Sequence, residues 1–122
     1  MATLNDGVYD LGLNVLDTEA NVLHINSLET STYAQTTSNS LGNKTSLSVG
    51  APADGAVSGR RVTVAAITDG AVTSTGTVAF YSLVDSSNVR LLATGALSSS
   101  QSVTSANTFT LDAFDIEIPD PA

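Results

Sequence analysis

Carboxylates alternate with apolar residues in AFDIEIPDPA, residues 113–122. Asp115 and Glu117 fall between Phe114, Ile116 and Ile118, and Asp120 stands between Pro119 and Pro121. At strand spacing, Asp115 and Glu117 project from one face about 6.5–7 Å apart. That separation overlaps the carboxylate pair of glycoside hydrolases, which also need a cleft, usually with aromatic platforms. This chain has no Trp and only three Tyr and three Phe. Calcium would ask for a carboxylate-rich loop of the D-x-[DN]-x-[DN]-G kind, and none occurs. The acids therefore read as the wet face of a terminal edge strand, where they discourage unwanted pairing. Its apolar side should close the core, and the prolines should end the ladder.

The other chemistry-bearing residues are few. His24 is the only histidine; a Ser-His-Asp arrangement would need it beside a nucleophile on a strained turn, and no G-x-S-x-G is present. It reads as a surface or interface histidine. LGNKTS (41–46) brings Gly42, Lys44 and Thr45 together, but a phosphate-binding loop needs G-x-x-x-x-G-K-[ST]. Asn43-Lys44-Thr45 forms a glycosylation sequon, which without a secretory signal carries no weight. Arg60 and Arg61 open a strand and so point to opposite faces. Arg61 or Arg90 is expected to pair with carboxylates of the terminal strand or of a neighbouring subunit. No cysteine is present, which excludes disulfides and thiolate metal sites. The chain is expected to need no cofactor or metal and to be no enzyme.

Composition sets the frame for these residues. At 122 residues the chain fits one domain. Ser and Thr make up about a quarter of it, Lys44 is the only lysine, and Glu occurs at three positions; such poverty in helix formers marks an all-β protein. The formal charge of −8, with four basic residues, argues against nucleic acid and against anionic membrane surfaces. Charged residues are only 13% of the chain, a surface of hydroxyls and small apolar groups suited to packing against copies of itself or a larger assembly. The start, MATLNDGVYD, has no signal-peptide character, so synthesis in the cytoplasm is expected.

Along the chain, residues 1–19 read as an extended or irregular N-terminal arm. Their apolar residues fit neither a clean helical nor a clean strand period, and Gly7 and Gly12 weaken both. Residues 20–122 read as the β domain. NVLHINS (21–27) is the first strand; 28–45 should be mostly loop, with a short helical turn at 33–37. TSLSVG (45–50) reads as a short strand and APADGAVSG (51–59) as turn material. RRVTVAAIT (60–68) is one strand ended by an Asp69-Gly70 turn, and TVAFYSLVD (77–85) is central. A Ser86–Asn88 turn leads into VRLLATGAL (89–97), SSSQS is a flexible connector, and 108–120 closes the chain. Phe109 and Leu111 share one parity while Phe114, Ile116 and Ile118 share the other, a shift that a bulge near Asp112-Ala113 would absorb. VTSTGTVAF (72–80) echoes VTSANTFTL (103–111), read as one hairpin solution used twice. The predicted architecture is a single antiparallel β-sandwich, jelly-roll-like, or a small barrel.

Four motifs run through the second half: D-G-x-V-T-x-x-G-T from Asp69, R-L-L-A-T-G-x-L from Arg90, V-T-S-x-N-T-F from Val103 and F-D-I-x-I-P from Phe114. In these, and in the aromatic strand running to Val84-Asp85, residues 67–120 resemble a group of small proteins encoded in the structural modules of tailed bacteriophages. The first half is similar more loosely, through NVLDTEAN, NVLHINS and STYAQTTSNSLGNK. The resemblance implies a virion component and supplies no active-site residues.

The leading expectation is a capsid decoration, or cement, protein on the outer capsid surface. The arm and one sheet edge would bridge major capsid protein subunits and sister copies, as a homotrimer. The expected contact residues are Leu4, Val8, Tyr9, Leu11 and Leu13 of the arm, with Arg61, Arg90, Asp115 and Glu117 of the sheet edge. The alternative is a tail, baseplate or fibre-associated module that binds a host surface.

Overall fold

The computed structural model describes residues 4–119, so Asp120 and Pro121 of the terminal motif lie outside the described residues. The chain is mostly antiparallel β-structure, as its composition requires. Strands β1 (Val22–Asn26), β2 (Ser40–Thr45), β5 (Ile67–Val72), β6 (Gly76–Asp85), β7 (Arg90–Val103) and β8 (Thr108–Leu111) form a six-stranded sheet in the order β7-β6-β1-β2-β5-β8. It curls into an open half-barrel. A second sheet holds β3 (Ala53–Asp54), β4 (Arg60–Val64) and β9 (Phe114–Ile118), with β4 in the middle.

One bent hairpin organises the large sheet. Residues 67–85 and 90–111 run antiparallel, with β6 on β7 and β5 on β8. Both legs turn at the same level, at 73–75 and 104–107, so β5 and β6 flank the β2 and β1 pair from its two sides. The two echoing Val-Thr-Ser segments are these bends, and they are tied to each other. The Val72 amide donates to the Asn107 carbonyl, the Ala106 amide to the Val72 carbonyl (both 3.0 Å), and the Ser105 amide to Thr75 Oγ1 (3.0 Å). The repeat is thus one corner made by two matching chains, and neither copy closes a hairpin between its own flanking strands.

The N-terminal arm is corrected: residues Asp6–Glu19 form helix α1, capped by Asn5, whose side chain accepts from the Gly7 amide at 2.8 Å. Tyr9, Leu13, Leu16 and Ala20 recur at i, i+4, i+7 and i+11 and are buried in the same cluster as Leu23, Val62, Val64, Ile67 and Leu83. Helix α1 and the β domain therefore share one core. The helical period is hard to see because Val8, Leu11 and Val15 form a second apolar stripe between the buried positions.

Other differences follow from the chain changing sheets without a sequence mark. RRVTVAAIT divides at Ala65-Ala66 into β4 and β5, which lie in different sheets. Asp69-Gly70 is inside β5, where Gly70 stands opposite Phe109 and a Cβ there would sit 2.3 Å from that ring. The ring occupies the missing side chain's place, so the dipeptide is strand and not turn. SSSQS belongs to β7. The parity change at Asp112-Ala113 is the passage from β8 to β9, hence from one sheet to the other. Of TSLSVG, Thr45 ends β2 and the remainder forms an isolated bridge of Val49 with Val64 in place of the expected strand. The expected helical turn is α2 (Tyr33–Ser38), and the rest of that segment includes β2 where loop was expected.

Candidate interaction surface

The terminal carboxylates are held by the chain's own donors. On β9, Asp115 accepts from Arg61 Nη1 at 2.8 Å and from Thr63 Oγ1 at 2.6 Å, and Glu117 accepts from the Ala56 amide at 2.7 Å. Asp115 thus fastens β9 to β4, and Glu117 fastens it to the 55–59 turn. Among the described residues no group of three or more His, Cys, Asp or Glu converges as a metal site.

Arg60, on the opposite face of β4, was not among the expected contacts and makes the densest set. Its guanidinium donates to Asp10 at 2.9 and 3.2 Å and to Asp54 at 2.7 Å, with Asp6 at 3.8 Å. Hydrogen bonding to Asp10, then to Asp54, raises its pKa further. Asp6 and Asp10 stand one turn apart on α1, a pairing visible in the sequence only once the helix is recognised. Arg90 donates to Glu19 at 2.7 Å and to Asp85 at 3.1 Å, holding the other end of α1.

His24 lies on β1 with Nδ1 2.8 Å from Ser40 Oγ. Ser40 Oγ already donates its proton to the Gly42 carbonyl at 2.9 Å, so it accepts from the imidazole. That direction is the reverse of a base activating a nucleophile. Burial lowers the His24 pKa, keeping the ring neutral at pH 7. Near it, a fully buried network joins Asn26, Thr30, Thr36 and Ser82. Ser82 Oγ donates to Asn26 Oδ1 at 2.8 Å, Thr30 and Thr36 hydroxyls meet at 2.7 Å, and Asn26 Nδ2 donates to the Thr36 carbonyl at 3.1 Å. Each group satisfies another, which anchors α2 to the sheet.

The expected arm contacts separate into two sets. Tyr9 and Leu13, each 2% exposed, belong to the chain's own core and are corrected as contact residues. Leu4, Val8 and Leu11 are 44, 58 and 77% exposed, and Val8 and Leu11 share the outer face of α1. Arg61, Arg90, Asp115 and Glu117 are engaged within the chain. The outer face of α1, on a helix fixed by Arg60 near one end and Arg90 at the other, therefore leaves Val8 and Leu11 exposed. Compared with known proteins, the chain matches no family model, no curated protein and no solved structure.

Proposed function

We propose that the chain is a structural protein of a tailed-bacteriophage virion, a decoration protein that bridges major capsid protein subunits on the outside of the head. The observation that carries this reading is the exposed apolar face of α1, Val8 and Leu11, with exposed Leu4 just before its cap, on a helix locked to the β domain. A preformed surface pays little ordering entropy on binding. The motifs of residues 67–120 and the low content of charged side chains support the same reading. Three copies around a threefold axis would each offer α1 to the capsid. A contact of about 800 Å² per partner suffices for specific association, and multivalency across the lattice multiplies retention without chemistry.

Quantitative mass spectrometry of purified virions tests this. Hundreds of copies per particle are expected; fewer than about sixty, the scale set by closed icosahedral symmetry, would overturn it. A low copy number would favour a tail, baseplate or fibre-associated module that contacts a host surface. The open side of the half-barrel favours that second reading, because it offers a ligand cleft away from α1.

A further inference from the structure

The six-stranded sheet does not close on itself. Its edge strands β7 and β8 face each other across a cleft of about 590 Å³, which continues along the start of β9. That volume falls within the roughly 300–1,000 Å³ of small-ligand sites. Besides Asp115, which Arg61 and Thr63 hold, six polar side chains line it: Tyr81, Ser98, Ser99, Gln101, Thr110 and Asp112. None of the six donates or accepts a side-chain hydrogen bond among the described residues, in contrast to the mutually satisfied network around Asn26. An aromatic pair accompanies them, with the Tyr81 and Phe114 rings 4.4 Å apart and tilted by 46°. Gly95 stands opposite Tyr81, where a Cβ would meet the Tyr81 hydroxyl at 2.5 Å, so this glycine leaves the ring its place.

The shape of β7 decides what kind of ligand fits. Val78 pairs with Gln101 and Phe80 with Ala96, so Ala79 alone faces the four residues from Leu97 to Ser100. This wide bulge breaks the regular row of amides and carbonyls that an added β-strand would need. It presents side chains in their place, two of them cleft-lining serines. Charge narrows the class further. No Lys, Arg or His lines the cleft, and of its two acids Asp115 is already bound by Arg61 and Thr63. An anionic ligand would meet the unpaired Asp112 with no cation to offset it. An apolar ligand would bury the six polar groups without partners. A ligand rich in hydroxyls, uncharged, and carrying C–H faces that pack on aromatic rings satisfies all of these groups.

We propose that the cleft between β7 and β8 binds an uncharged oligosaccharide. Asp112 and Gln101 hold sugar hydroxyls, the serines of the bulge add weaker hydrogen bonds, and Tyr81 with Phe114 supplies the packing face. This does not rest on the virion reading, because the cleft lies apart from α1.

The test has two arms. A printed array of neutral, sialylated and sulfated oligosaccharides is probed with the purified chain, and the best neutral sugar is titrated into ¹⁵N-labelled protein. Retention of neutral sugars is expected, with amide shifts concentrated at 96–101 and 110–115. Asp112→Ala and Gln101→Ala, both at exposed positions, should each weaken binding at least about tenfold while leaving the melting temperature in place. The proposal is overturned if no neutral sugar is retained, if anionic sugars are preferred, or if the shifts fall on α1. It is equally overturned if both variants bind like the wild type, or if a short alternating Thr/Val peptide binds the cleft and protects the β7 amides from exchange.

Discussion

Val89 takes φ 55°, a left-handed conformation that brings a β-branched side chain against its own backbone. The turn that imposes it is built by Asp85, 2% exposed, whose carboxylate accepts from the Ser87 and Asn88 amides at 3.1 and 3.3 Å. Asn88 Nδ2 at 2.7 Å and Arg90 at 3.1 Å complete its shell. These donors, the Asn88 side chain first, hold Asp85 below the usual carboxylate range against the opposing effect of burial. The Val89 side chain is 62% exposed, so little packing offsets the strain. Val89→Gly should therefore raise stability by about 1 kcal/mol and the melting temperature by about 3 °C, less any entropy lost to a freer unfolded chain. An unchanged or lower melting temperature in a calorimetric scan would show that the turn is not strained. The Ser-Ser-Asn turn was legible from composition. The buried aspartate that organises it was not, because its donors are assembled only when the hairpin closes.

Helix α1 makes two separable demands on its apolar residues, and mutation distinguishes them. Leu13→Ala removes a side chain packed among Leu16, Val62 and Val64 in the shared core and should cost about 2–5 kcal/mol, a large part of a typical domain's stability. Leu11→Ser, at 77% exposure, should change stability by no more than about 0.5 kcal/mol. On the proposed decoration role it should nevertheless reduce the copies retained on washed virions. Denaturant melts and quantitative gels of the same two variants check both halves; a Leu11→Ser protein retained like wild type would remove α1 from the interface. The contrast also explains what was readable at this scale. β1 was legible because its apolar residues are bounded by polar flanks, and β6 because it is apolar on both faces. α1 was hidden by its two interleaved stripes, and the division of 60–68 was hidden because both halves are strand-forming. The Ser-rich stretch of β7 reads as a linker in any local view, since its strand state comes from β6. The proposed cleft was invisible for a related reason: its residues come from β6, β7, β8 and β9, and only the open curl of the sheet brings them together.

At the scale of the molecule, four cations serve a chain of net charge −8, and each is placed at a junction. Lys44 joins β2 to Asp69 of β5, Arg60 joins β4 to α1 and β3, Arg61 joins β4 to β9, and Arg90 joins β7 to the end of α1. With all four Lys and Arg side chains engaged, the exposed surface is acidic, hydroxylic and apolar, which disfavours polyanions. Acidification acts on this balance through two opposed effects. Approaching the isoelectric point near 4.1 relaxes the overall repulsion and favours the folded state. His24 acts in the other direction. Its folded pKa lies below the 6.5 of the free side chain because the ring is half-buried. Below pH 6.5 the unfolded chain therefore takes up a proton that the folded chain refuses, and stability falls. Its contribution is complete above pH 6.5 and is lost progressively as the pH drops toward the folded value. Asp85, with its lowered pKa, acts later, losing its contribution only below 3.8. His24→Gln isolates the first step, because the global repulsion is common to both proteins. Thermal melts at about 0.15 M salt, where long-range charge effects are screened, should show the wild-type advantage over His24→Gln shrinking as the pH falls from 7.5 to 5. A difference that stays flat over that range would mean that the imidazole is as free to protonate in the fold as in water.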